Sequence, residues 1–343
     1  MSSSERPLLS ICIPTYNRAE LLRSALYSIV RQAADLGGQV EVVVSDNCSP
    51  DHTPEVIAWA ETLGPVRYHR NAENIGAGRN FLQLAQHLAE GEYCWLLGDD
   101  DLLREGAVAE VVSALAGHPD IDYAFVNVAY EEISEREPGL VDNTEKYACQ
   151  RRTCFVEGHH IVERWERIIG YSDHGGPFNY IGSHILRTRL WREETFDFKT
   201  DEGFPSLEAT LPHACIAAKY MTGRPALYLG RPLVLVFLGG QEWQSFWPMI
   251  QVVRVLELGD YLAAQGAEPA MVTRYRNLVL RASSGCFWRL LRDPTVKGRE
   301  HFQVSDLCRR YWKHSGFYLM LFWDPAHALL AAPLRRLRAI AAR

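Results

Sequence analysis

Apolar residues along the first 130 positions fall into two alternating patterns. Short apolar runs, often β-branched, recur at 8–13 (LLSICI), 40–45 (VEVVVS), 66–69 (VRYH), 93–97 (YCWLL) and 123–128 (YAFVNV), and each predicts a strand. Between them the apolar positions recur at helical spacing. Leu21, Leu22, Ala25, Leu26, Ile29 and Val30 share one face of a predicted helix, with Asn17 as its cap and Glu20 completing a capping box. Thr53-Pro54 reads as an N-cap followed by proline in the first turn, with Gly64 as the stop. Further helices are predicted over about 77–89, closed by Gly91, and over about 105–116.

Strand and helix alternating in this way predict an α/β fold with a mostly parallel central sheet covered by helices. Ligands bind such sheets beyond the carboxyl ends of the strands. Those ends carry Pro14-Thr15-Tyr16-Asn17, Asp46-Asn47, Arg70-Asn71-Ala72-Glu73-Asn74 and Gly98-Asp99-Asp100-Asp101. Polar and acidic chemistry is thereby collected on one edge.

Beyond residue 130 the pattern loosens. The segment EEISEREPGLVDNTEKYACQRR is charged and loop-like. A glycine-rich loop (YSDHGGPFNYIG) then leads into a predicted strand over 180–186, and RPALYLGRPLVLVFL reads as a pair of strand-like runs before a Gly-Gly-Gln-Glu-Trp loop. The last stretch, from about 246, reads as helices.

Composition narrows the classes. A formal net charge of −6 gives no global signal for nucleic acid. No apolar run reaches the roughly 18–20 residues that span a bilayer, and the N-terminal residues do not read as a secretory leader. The eight cysteines are scattered without a CxxC pair, and Cys149, Cys154, His159 and His160 do not match a zinc spacing. Packed, reduced thiols in a cytoplasmic protein are the expectation.

The loop after the first strand, PTYNRA, lacks the glycines of a dinucleotide-binding fingerprint or a P-loop. It also lacks the glycine-rich basic loop of a nucleotidyltransferase. The acidic cluster follows the fourth strand, where a phosphoacceptor receiver domain would carry its acidic pair after the first. Three adjacent carboxylates are unfavourable unless a cation sits among them. Hard oxygen ligands of this kind suit Mg2+ or Mn2+ bridging a diphosphate, with the leaving group's charge falling on the metal.

The segments SICIPTYNRAELLRSALYSI, EVVVSDNCSPDHTPEVI and RYHRNAENIGAGRNFLQLAQHLAEGEYCWLLGDDDLL resemble the family 2 glycosyltransferases, which have the GT-A fold. The resemblance is dense over residues 8 to about 115. GDDDLL and SDNCSPD are most similar to bacterial enzymes of O-antigen and capsule assembly, the abequosyltransferase-like group among them. The resemblance implies a metal-dependent, inverting transfer from a nucleotide-diphosphate sugar to a glycan or lipid-linked saccharide. It places Pro14, Thr15, Tyr16 and Asn17 at the nucleoside, Asp46 on the base, and Asn74 and Arg79 near the nucleotide. Where many members have D-x-D-D this chain has G-D-D-D, so Asp100 is expected as the main ligand of Mn2+ or Mg2+. Asp99 then lies nearer the ribose or phosphate, with Asp101 as a second ligand or a helix-capping residue.

The same resemblance divides the chain into a catalytic domain over 1–245 and a helical region over 246–343. Within the former, 8–130 would bind the donor and 131–245 the acceptor. An inverting transfer needs a base for the acceptor hydroxyl. Glu208 is the first candidate, Asp201 the second and His213 the third. Trp243, beside a glycine-rich loop, would cover the nucleotide, stack on a sugar or close the core. At the C-terminus, the apolar run 317–323 followed by Arg335, Arg336, Arg338 and Arg343 suits either an anionic membrane surface or a docked helix with a solvated end. The competing function is a glycosyltransferase-like scaffold that binds a nucleotide without turnover.

Overall fold

The computed structural model describes residues 6–132, 151–173, 176–196, 203–238 and 242–322. Asp201, Cys149 and the C-terminal arginines lie outside the described residues. Among the described residues ten strands form one sheet. They are β1 Leu9–Thr15, β2 Val40–Asp46, β3 Arg67–Arg70, β4 Tyr93–Leu96, β5 Leu102–Leu103, β6 Tyr123–Glu132, β7 Arg151–Arg152, β8 His159–Val162, β9 His184–Arg187 and β10 Ala226–Leu238. The main order is β3-β2-β1-β4-β9-β6-β10-β5, with β7 on β6 and β8 on β10. Strands β1 to β4 are mutually parallel, as are β6 and β10, whereas β9 runs antiparallel between β4 and β6. The result is a mixed, mostly parallel sheet of the GT-A kind.

Alternation along the central strands feeds two cores. Ile11, Ile13, Val42 and Val44 face helices α1 Ala19–Ala34, α2 Thr53–Ala60 and α4 Ala107–Ala116, which present Leu22, Leu26, Ile29, Val56, Val108 and Val111. Cys12, Val43 and Cys94 face the opposite layer. Part of that layer comes from α3 Ala77–Gln83 and α7 Pro212–Met221. The rest comes from the C-terminal helices α9 Val255–Ala264, α10 Pro269–Ala282 and α11 Ser284–Arg292. Each fully buried aliphatic side chain in these layers contributes roughly 1.5–3 kcal/mol.

Several boundaries differ from the pattern read in the sequence, each for a local reason. Asn17 does not cap α1. It adopts φ +54°, and Asp51 Oδ2 instead accepts from the Ala19 N–H at 2.9 Å, so the helix is capped by the loop after β2. The expected helix over 77–89 loosens into a wide turn at Leu84–Leu88. Residues 181–183 form a tight helical turn, and strand β9 begins only at His184. The two runs expected in 226–238 are one strand whose register slips between Leu229 and Val234. Gly230 lies in that slip, where a Cβ would stand 2.5 Å from the Gly158 carbonyl oxygen.

Gly91, expected to close a helix, instead lies against β1. Its N–H donates to Ser10 Oγ at 2.7 Å, and a Cβ there would meet the Ser10 backbone nitrogen at 2.5 Å. Because backbone cannot yield as a side-chain end can, Gly91→Ala is expected to destabilise the protein by about 1–3 kcal/mol. Urea unfolding measures it, and an unchanged midpoint would show that β1 and the 91 turn are not packed this closely.

Candidate functional site

Register places the ends of three strands together. Thr15 pairs with Asp46 across β1 and β2, and Cys12 pairs with Leu96 across β1 and β4. The turn after β4 therefore rises beside the loop after β1. Thr15 Oγ1 donates to Asp99 Oδ2 at 2.8 Å. Arg18, at the start of α1, donates through Nη1 to Asp99 Oδ1 at 2.6 Å and through Nη2 to Asp100 Oδ2 at 2.7 Å. The cation among the three aspartates is thus an arginine from four residues beyond Pro14.

Asp101 is turned elsewhere. Its Oδ2 accepts from the Gly98 N–H at 2.7 Å and from the Tyr180 hydroxyl. Burial, then the neighbouring Asp100 charge, pushes the Asp101 carboxyl up to about 7. Burial and the Asp101 charge in turn hold the Tyr180 phenol well above its ordinary range. A Cβ at Gly98 would lie 2.7 Å from Asp101 Oδ2 and 2.8 Å from Asp100 Oδ1, so a larger residue there, such as the aspartate of the commoner pattern, needs these carboxylate ends to shift. Asp99 and Asp101 are buried, and Asp100 is the carboxylate that reaches outward, with 14% of its side chain exposed.

Asp46 is fully buried. Its Oδ1 accepts from the Ser49 N–H at 2.8 Å, and its Oδ2 accepts from Tyr68 OH at 2.7 Å and Arg70 Nη1 at 2.8 Å. Burial, then the bond to Asp46, pushes the Tyr68 phenol up to about 12. Arg70 also donates to the Ser49 carbonyl at 2.8 Å and leaves 38% of its side chain exposed. Asp46 thus lies beneath Arg70, and the surface above it is the guanidinium.

The adjoining loop is held by asparagines. Asn47 Oδ1 accepts from the Ile75 N–H at 2.9 Å and from Asn71 at 3.1 Å, while Asn47 Nδ2 donates to Asn74 Oδ1 at 2.6 Å. Asn74 Oδ1 also accepts from the Gly76 N–H at 2.9 Å, so its side chain folds the loop back on itself. Arg79 is exposed and lines an open cleft with Gln83, Gln86 and Phe196. Pro14 is half-buried, and Tyr16 and Asn17 are exposed at the same edge as Thr15.

In the second half, α6 Leu207–Thr210 is capped by Ser206, whose Oγ accepts from the Ala209 N–H at 3.1 Å. Glu208 sits half-buried in its first turn. His213 does not fit the role of a base. It is buried, faces the Phe178 carbonyl at 3.2 Å, stacks edge-on to His184, and is pushed down to about 3 by burial. Trp243 is partly exposed and packs its ring 5.4 Å from that of Trp247. Among the described residues no three His, Cys, Asp or Glu side chains converge on one point: Asp99 and Asp100 share Arg18, while Asp101 is directed to Gly98 and Tyr180.

The sequence pattern of glycosyl transferase family 2 matches residues 10–188. The chain belongs to glycosyl transferase family 2. It is 31% identical to the abequosyltransferase RfbV of Salmonella typhimurium over 66% of this chain and 66% of that one, just under two thirds of that relative's length. A PGL/p-HBAD biosynthesis glycosyltransferase of Mycobacterium bovis is 27% identical over 62% of this chain and 76% of its own. Among solved structures, the first 349 residues of S. aureus TarS superpose with a TM-score of 0.53 at 18% identity, over 82% of this chain and 72% of that one. The mannosyltransferase PcManGT from Pyrobaculum calidifontis, in complex with GDP-Man and Mn2+, gives 0.52 at 18%, over 97% and 87%. These two establish a shared fold.

Three residues that shape the family 2 site were not singled out from sequence. Arg18 follows PTYN directly, on the very edge where a cation was needed. Arg70 was seen only as part of a polar strand end. Tyr180 lies more than seventy positions from the acidic turn, and only the pairing of β9 with β4 brings it there. Because Asp46 accepts from three donors, Asp46→Ala is expected to cost about 1–3 kcal/mol of stability, taking the acceptor from the Ser49 N–H and the Tyr68 hydroxyl while Arg70 keeps the Ser49 carbonyl and solvent. Guanidinium unfolding compares it with wild type. A variant of native stability but poor nucleotide affinity would return Asp46 to a purely ligand-binding role.

Proposed function

We propose that the protein is a metal-dependent, inverting glycosyltransferase acting on a nucleotide-diphosphate sugar. The observation that carries the reading is the clustering of Thr15, Arg18, Arg70 and Asp99–Asp101 on one strand-end edge, with Asp100 reaching outward from it. Thr15, Tyr16 and Arg70 would line the nucleoside, and Arg79 the neighbouring cleft. The donor set fits a hard divalent ion: Asp100 offers carboxylate oxygen at the surface, and one or two carboxylates with the donor's phosphates suffice for such an ion. Asp100, with Asp99 beside it, would hold Mn2+ or Mg2+, which supplies charge neutralisation for the departing diphosphate. Asp101, fastened to Gly98 and Tyr180, acts in this reading as the lock of the turn.

The acceptor hydroxyl oxygen attacks the anomeric carbon as the bond to the diphosphate breaks on the opposite face. Its proton passes to a carboxylate, for which Glu208, in the first turn of a capped helix, is the leading residue and Asp201 the alternative. The names of the relatives speak of abequose transfer and of PGL/p-HBAD biosynthesis. That supports an acceptor of the glycan or lipid-linked saccharide class and a role in bacterial surface polysaccharide assembly. A lipid-linked acceptor also suits the exposed Trp312, Tyr318, Leu319 and Phe322 near the last described helix, with arginines following in the chain. No helix among the described residues is long and apolar enough to cross a membrane, so contact with lipid would be peripheral.

Screening UDP-, GDP- and CDP-sugars with Mn2+ is expected to reveal turnover that chelation abolishes, and persistent turnover in EDTA would remove the metal from the mechanism. Glu208→Gln should lower transfer by roughly 10²-fold or more while leaving donor affinity near wild type. If Glu208→Gln keeps full activity and Asp201→Asn loses it, the base is Asp201. Donor binding without any turnover in the wild-type chain would favour the non-catalytic scaffold. The membrane contact is read by flotation with anionic vesicles, where Phe322→Ser combined with Tyr318→Ser should reduce the bound fraction. Equal binding by both proteins would remove that face from the interaction.

A further inference from the structure

Arg18 does more than neutralise the acidic turn in the resting protein. Its backbone is fixed from both sides: the Asn17 N–H donates to Ser49 Oγ at 2.9 Å, and the Ala19 N–H to Asp51 Oδ2 at 2.9 Å. Asn17 itself sits at φ +54°, a left-handed conformation that asparagine tolerates better than most non-glycine residues and that turns the chain into α1. The loop after β2 thereby aims the Arg18 side chain over the turn after β4. Its fork spans two carboxylates, one nitrogen on Asp99 and one on Asp100.

These two carboxylates are not held alike. Asp99 also accepts from the buried Thr15 hydroxyl, and it lies deep. Asp100 is the more open of the two, and Arg18 keeps a quarter of its own side chain exposed. The Arg18–Asp100 contact is therefore the one that can exchange. Guanidinium binds the oxygens of a phosphate as readily as those of a carboxylate, through the same planar fork.

We propose that Arg18 is the resident counter-cation of the acidic turn and releases Asp100 to the divalent ion when the donor's diphosphate arrives, turning its freed nitrogen to a phosphate oxygen. The inference rests on the reading above that Asp100 binds a divalent ion. It sets an order of events. In the free protein the ion competes with Arg18 for Asp100 and binds weakly. With a nucleoside diphosphate present, Arg18 has an alternative anion, and the ion binds without leaving any charge unpaired.

The test is Mn2+ binding to the full chain, read from the electron paramagnetic resonance signal of free Mn2+, with and without UDP, GDP or CDP. Wild type should bind Mn2+ weakly alone and more tightly with the nucleotide that fits. Arg18→Gln should bind Mn2+ alone roughly tenfold more tightly, as expected for removing one positive charge at the site, and should lose most of the tightening by nucleotide. Arg18→Lys, which keeps the charge without the fork, should retain weak binding alone and guards against a folding defect in the glutamine variant. Asp100→Asn should lose Mn2+ in every condition. If Asp100→Asn does so while Arg18→Gln binds Mn2+ alone with wild-type affinity, the hand-over is wrong and the metal site stands. If Asp100→Asn binds Mn2+ normally, the metal reading itself falls, whatever Arg18 does.

Discussion

Mutual repulsion among Asp99, Asp100 and Asp101 is the constraint on which the site is organised. At a separation of about 4 Å and the screening typical near a protein surface, two unit charges interact by about 4 kcal/mol, so three adjacent carboxylates cannot simply be left together. The fold answers with several contacts. Arg18 spans Asp99 and Asp100, Thr15 holds Asp99 from below, and Asp101 turns inward to Gly98 and Tyr180. Each answer draws in a different part of the chain, and the loop after β1, the start of α1 and the turn before β9 are located by these contacts.

The strand order follows from the same edge. Parallel β1, β2 and β4 deliver their polar ends side by side. The second core, to which residues from Cys12 to Met320 contribute, then closes the opposite face of the sheet. Helices near the C-terminus share that core with Cys12 of β1 and Cys94 of β4, so the later part of the chain supports the sheet from beneath.

Much of this was legible in the sequence because hydrophobic period and strand-end chemistry are local signals. The five early strands, the buried face of α1 and the polar edge all follow from spacing along a short stretch. Partnerships across the fold are not local, and there the reading went astray. Asn17 has the chemistry of a cap, yet Asp51 takes that role because the β2 loop folds over the helix start. Asp46 reads as a ligand-facing acid, and Arg70 and Tyr68 on the adjacent strand β3 both donate to it, a contact set by strand pairing. His213 has the pKa of a general base only in water, and its position on α7 puts it among the rings of the core. Arg18, beside the PTYN motif, pairs with Asp99 and Asp100, a partnership that the spacing along the chain does not announce.

Tyr180 has a bearing on how such an enzyme could diversify. The turn that follows it is braced from two sides: Trp95 Nε1 donates to the Gly182 carbonyl at 2.8 Å, and Gly182 lacks the Cβ that would lie 2.5 Å from the Tyr180 ring. The segment at 180–183 is thus a strut between β4 and the acidic turn rather than an independent loop. Lineages altering this stretch would disturb the acidic turn at once, so successful changes there must arise together with compensating ones at 98–101. Divergence has an easier path through segments that do not bear on that strut.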